Sequence, residues 1–186
     1  MKKTMSVLLG IILIVSILSL VGCGGTKDQF FGDWAYNHDT ENTIISFKTS
    51  NNAVYEGQKY KYSFDDTFIT LTSKDKEIKL RYQMDKDEMI LYQPELYVYV
   101  GDGTPDGLIG SWMNENNWSF EFTTDGTFRE NDYFPGYYFL NEDGSVKLVY
   151  NDHFPDATLY YTIDGTQLTV EYPWTMVKTG TVLGNQ

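Results

Sequence analysis

Only one cysteine, Cys23, occurs among the 186 residues, so the chain can form no internal disulfide. Basic charge is also scarce, with 14 Lys and Arg against 26 Asp and Glu. That balance argues against nucleic acid and other polyanions as partners. The sequence has no Gly-x-Ser-x-Gly elbow, no His-Glu-x-x-His pair and no glycine-rich phosphate loop, and its only thiol is Cys23. These absences remove the common hydrolase, metalloprotease and nucleotide-binding classes, and no cofactor is implied. Two histidines remain, His38 in Asn37-His38-Asp39-Thr40-Glu41 and His153 in Asp152-His153-Phe154-Pro155-Asp156. Each stands near carboxylates, but a lone histidine in a polar loop is ordinarily just solvated, and no metal site is expected.

The first residues are of a different kind. Lys2 and Lys3 precede a run from Met5 to Val21 that is almost wholly apolar, the layout of a secretory signal. Leu20-Val21-Gly22-Cys23 resembles the lipobox of bacterial lipoproteins. The resemblance implies a signal peptide over 1–22, cleavage before Cys23 and lipid on its thiol. Two acyl chains, at roughly 0.8 kcal/mol per buried methylene, would hold the protein on the outer face of the membrane. Residues 23–30 are the lipidated N-terminus and tether. The flexible stretch Gly24–Gln29 reaches about 12 to 15 Å by random-coil scaling, so the folded part is expected to stay near the bilayer.

With Lys2 and Lys3 removed, 12 basic residues face 26 acidic ones, a net charge of −14. An anionic lipid surface repels such a globule, which is anchored without lying flat on the membrane. Aromatic residues make up 16% of the chain, 15 of them tyrosine, a composition suited to β-structure.

The remainder is a repeat. Gly32-Asp33-Trp34 recurs as Gly110-Ser111-Trp112, offset by 78. Tyr82-Gln83-Met84-Asp85 matches Tyr161-Thr162-Ile163-Asp164, Pro94 matches Pro173 and Val98 matches Val177, all at 79. Two copies, 31–100 and 108–179, are joined by a Gly/Pro linker at 101–107, and a tail covers 180–186. Within each copy apolar residues recur with period two, as in Trp118-Ser119-Phe120-Glu121-Phe122, which puts them on one face of a strand and leaves Glu121 to solvent. Copy two reads as eight strands near 110–114, 118–123, 127–132, 137–141, 145–150, 158–163, 167–171 and 174–178, and copy one divides in the same way. The expected fold is all β, two tandem antiparallel up-and-down barrels, each folding as its own domain.

Gly-x-Trp on the first strand, with Tyr161-x-Ile163-Asp164-Gly165-x-x-Leu168 late in the repeat, resembles the small lipocalin-like domains of Gram-positive lipoproteins. The resemblance spans nearly all of 31–179 and implies the fold. It carries no general activity. A barrel of 72 residues would be filled by its own inward rings, so no deep ligand cavity is expected.

In an up-and-down arrangement alternate loops share an end. Asp125-Gly126, Asp143-Gly144 and Asp164-Gly165 mark tight hairpins at one end of copy two and lack the Asp-x-Asp-x-Asp-Gly pattern of a calcium loop. The other end gathers Tyr133, Phe134, His153, Phe154, Tyr172 and Trp174 among acidic residues, whereas the matching loops of copy one are short and polar. Exposed aromatic clusters tend to mark binding surfaces, here for a glycan, peptide or protein partner. The alternative is that these rings turn inward and plug the fold. Two further readings are a hydrolase using the paired carboxylates Asp132 and Asp152, and a spacer or assembly lipoprotein without ligand.

Overall fold

The computed structural model describes residues 27–48, 51–85, 87–151 and 154–180. The signal segment, Cys23, Asp152, His153 and the tail beyond 180 lie outside them. The described chain is antiparallel β-structure with one helical turn, α1 (Lys27–Phe30). No described helix is long and apolar enough to cross a membrane.

Copy one contributes β1 (Gly32–Tyr36), β2 (Asp39–Lys48), β3 (Asn52–Tyr55), β4 (Gln58–Phe64), β5 (Phe68–Thr72), β6 (Glu77–Asp85) and β7 (Glu88–Tyr99). Copy two contributes β8 (Gly110–Met113), β9 (Ser119–Phe122), β10 (Thr127–Glu130), β11 (Phe134–Leu140), β12 (Ser145–Tyr150), β13 (Ala157–Asp164) and β14 (Gln167–Gly180). Each strand pairs with its chain neighbours, and β1 pairs with β14 to close a ring. The expected linker at 101–107 is a strand-free connection between β7 and β8.

One expectation from the sequence does not hold. The seventh and eighth strands of copy two, expected near 167–171 and 174–178, are a single strand, β14, and in copy one β7 likewise runs unbroken past Pro94. The reason is mutual pairing. β7 and β14 lie side by side over eleven residue pairs, from Gln167↔Val98 to Val177↔Glu88. Residues 88–92 of β7 also pair with β6, while Val98 and Tyr99 pair with β8. In β14, residues 167–171 pair with β13, while residues 176–180 pair with β1. The two long strands therefore divide the ring into two circuits, and each strand passes from the circuit of its own copy into the other.

Two separate cores follow from that division. The first holds Phe30, Trp34, Ile45, Phe47, Leu71 and Leu91, together with Met176 from β14. The second holds Trp112, Phe120, Phe128, Leu148 and Leu168, together with Tyr97 from β7. In both, the Gly-x-Trp tryptophan is fully buried and donates its indole N–H to the carbonyl four residues back: Trp34 to Phe30 at 2.8 Å and Trp112 to Leu108 at 2.7 Å. A buried indole N–H without an acceptor would be costly, so each motif fixes the segment in front of it as a plug. The glycine two residues earlier has φ near +120° in both copies, a region other residues rarely adopt.

The Asp-Gly pairs are hairpin turns, as the sequence indicates. Gly126, Gly144 and Gly165 all have positive φ. The Asp143 carboxylate accepts from the Ser145 backbone N–H at 3.0 Å and its hydroxyl at 2.6 Å. These bonds hold the carboxyl below its usual range and occupy it within the turn.

Candidate functional site

Strand alternation decides which side chains reach the end of the second core. On β10, Phe128 points inward, so Glu130, two residues on, points the same way and its carboxyl sits at the rim of the core. Tyr150, at the end of β12, donates its hydroxyl to Glu130 Oε2 at 2.5 Å. Tyr97 and Tyr172, from the two long strands, share a hydrogen bond of 2.7 Å. Burial pushes the Glu130 carboxyl above its usual range, partly offset by the bond from Tyr150. Burial likewise raises the phenols: Tyr97 to about 12, with Tyr150 and Tyr172 higher still, helped by the neighbouring carboxylate of Glu130.

Above this polar layer lies an apolar groove of about 350 Å³. Four of the six aromatic-end residues singled out from the sequence converge on it: Phe134, Phe154, Tyr172 and Trp174. Phe134 and Phe154 meet edge to face, with ring centroids 4.7 Å apart, and Tyr150 lies 6.2 Å from Phe154. Tyr133 does not join them; at 81% exposed it points away from the groove because it sits in the turn between β10 and β11. His153 lies outside the described residues. Phe154 is 51% exposed and Trp174 is 39% exposed, so neither ring plugs the core.

Trp174 faces both ways. Its ring also lies 5.2 Å from Tyr36 and 6.0 Å from His38, the latter stacked on Tyr36 in the first turn of copy one. The sequence reading assigned the aromatic end to copy two alone and missed this link, together with Glu130, Tyr97, Tyr150 and Trp118. Glu130 was legible as the continuation of the inward series Phe128-x-Glu130. The others depend on which strands pair.

The carboxylates considered for hydrolysis do not form a described pair. Asp132 is an exposed residue with positive φ in the β10–β11 turn, and Asp152 lies outside the described residues. Glu121 is exposed between inward Phe120 and Phe122, as alternation requires. No group of three or more His, Cys, Asp or Glu among the described residues is placed to hold a metal ion.

Comparison of the chain with protein-family models, curated proteins and solved structures finds no match. The likeness to lipocalin-like domains therefore rests on the Gly-x-Trp and Tyr-x-Ile-Asp-Gly residues themselves.

Proposed function

We propose that the protein is an exported lipoprotein, anchored through Cys23 to the outer face of a Gram-positive cell membrane, that acts as a non-enzymatic binding module. Its fold is read as two small lipocalin-like barrels that exchange their last strands, and its ligand docks at the aromatic end of the second. The observation that carries this reading is the groove bounded by Phe134, Phe154, Tyr172 and Trp174, in which large rings stay partly exposed beside a well-packed core. Flat, rigid side chains around a concavity supply contact area at little entropic cost, which suits a sugar ring or an aromatic or aliphatic side chain of a peptide.

The test is a glycan and peptide binding screen on residues 26–186, repeated with Phe154→Ala and Trp174→Ala. A true ligand should lose roughly 1 to 4 kcal/mol of affinity in either variant, the usual span for an interface anchor. A ligand that binds both variants as it binds wild type is docking elsewhere, and the groove is then not the site.

A further inference from the structure

A second cavity, of about 530 Å³, opens on the other side of Tyr172 and Trp174, where the two circuits part. There the strands have neighbours on one side only: residues 93–97 of β7 pair with β14 alone, and residues 172–174 of β14 with β7 alone. Turns from both copies rise around this gap. Tyr36 and Tyr55 reach it from copy one and Trp118, 53% exposed, from copy two.

Three carboxylates line the same space, Glu56, Glu95 and Glu130, and among the described residues no lysine or arginine does. Their protein partners are neutral: Asn114 donates to Glu95 and Tyr150 to Glu130, and none of the three is in an ion pair among the described residues. The hydroxyls of the cavity feel the same field: beyond burial, Glu56 raises Tyr36 and Tyr55, Glu95 and Glu130 raise Tyr97, and Tyr172 is raised first by the Tyr97 hydroxyl and then by Glu130 and Glu95. On the copy-one side the hydroxyls are tied into a fixed wall, with Tyr36 donating to Gln93 Oε1 at 2.6 Å and Gln93 Nε2 donating to the Tyr55 oxygen at 3.1 Å.

Such a site selects for a cation, and the walls say which kind. Among the described residues these three carboxylates do not form a group placed to hold a metal ion. Aromatic faces beside separated negative charges favour a soft, weakly hydrated cation over a strongly hydrated one. We propose that the cavity at the seam binds a free small organic cation bearing alkylated ammonium groups, with the ammonium held against Trp118 and Trp174 and balanced by Glu95 and Glu130. The seam cavity meets the copy-two groove at Glu130, Tyr172 and Trp174 but opens on their other side, and binding in it does not need the groove to be occupied.

The proposal is tested by equilibrium dialysis of the full chain in detergent at low ionic strength, with radiolabelled choline and tetramethylammonium as probes and calcium chloride and penta-lysine as competitors. Saturable binding of one probe per chain is expected, with affinity reduced about fivefold to thirtyfold by Trp118→Ala and also lowered by Glu95→Gln. Both side chains are partly or well exposed, so melting curves should confirm that each variant folds. Phe154→Ala, which touches only the groove, should leave choline binding unchanged. Absence of saturable binding overturns the proposal, as does binding indifferent to both seam variants. Loss with Phe154→Ala alone would move the cation to the groove, stoichiometric displacement by calcium would make the site a metal site, and tighter binding of penta-lysine than of either probe would make it a peptide site. Each of these three outcomes refutes a small-cation seam site, whereas failure of the groove reading is seen separately in the glycan and peptide screen.

Discussion

The ammonium of Lys178 lies 5.1 Å from the centre of the Trp34 ring and donates to the Gln29 carbonyl at 2.9 Å, although Lys178 belongs to copy two and Trp34 to copy one. The converse contact is made by Tyr99, the counterpart of Lys178, whose ring meets Trp112 of copy two edge on at 5.3 Å. Each Gly-x-Trp tryptophan is thus covered by the last strand of the other copy. A lysine can serve here because its stem packs on the ring while the ammonium takes a cation–π contact and a carbonyl.

That exchange has consequences when the copies are separated. Residues 28–103 lack Met176, and residues 105–186 lack Tyr97, both nearly or fully buried in the core they complete. Each half alone is expected to melt lower and less cooperatively than the full chain, and an equimolar mixture should associate and recover the full-chain melt. In the intact protein Met176→Ala should cost about 2–5 kcal/mol. Circular dichroism and gel filtration of the halves check this; two independent cooperative melts that mixing leaves unchanged would mean that each last strand folds back on its own copy.

Most of the strand inventory was legible in the sequence because alternation over Ser119–Phe122 or Glu77–Asp85 requires no knowledge of neighbours. The merger at 172–174 was not legible, because Tyr172-Pro173-Trp174 carries a proline and a proline normally ends a ladder. Pro94 and Pro173 are tolerated where their strands lack a second neighbour, and local pattern cannot reveal that. The same limit hid the seam cavity, whose walls come from residues as distant as Tyr36 and Trp174. The groove was legible because an up-and-down order brings the segments around Phe134, Phe154, Tyr172 and Trp174 to a single end even though three of the four lie in strands rather than in the expected loops, while Tyr133 fell outside it for want of turn geometry.

Glu130 gives a pH signature. Because burial raises its folded pKa, the ionised carboxyl penalises the folded state above that pKa, and the penalty fades as pH falls through it toward and below 4.5, the ordinary glutamate value. Glu130→Gln removes the charge yet leaves an oxygen to accept from Tyr150. The variant should therefore melt above wild type at pH 7, with the gain shrinking on acidification. Asp33, Asp65, Asp125 and Asp143, whose carboxyls are held low, lose their contribution in acid in both proteins and cancel in the difference. The facing groups Tyr97, Tyr150 and Tyr172 stay neutral across this range. A lower melt for Glu130→Gln at pH 7, or a difference that does not vary with pH, would remove the argument.

The proposed lipid anchor rests on Leu20-Val21-Gly22-Cys23. Cys23→Ser should block processing, leave a precursor of slower mobility and abolish incorporation of a fatty-acid analogue. Equal labelling of the variant and wild type would dispose of lipidation at this residue.

The aromatic end can be judged before any ligand is identified. If Phe154 and Trp174 were structural plugs, cutting either to alanine would cost about 3–5 kcal/mol, as for a buried aromatic. Their exposure of 51% and 39% argues for a smaller loss, of about 1 kcal/mol, since each already gives up much of its surface to water. In a chain of this size that corresponds to a drop in melting temperature of about 2–4 °C. Leu148→Ala, at a fully buried position of the same core, provides the internal scale and should cost about 2–5 kcal/mol. Trp174→Ala should fall a little further than Phe154→Ala, because its ring also packs on Tyr36 and His38 across the seam. Melts of the three variants side by side decide the matter: two aromatic variants that drop as far as Leu148→Ala are core residues, and the groove then has no claim to a ligand.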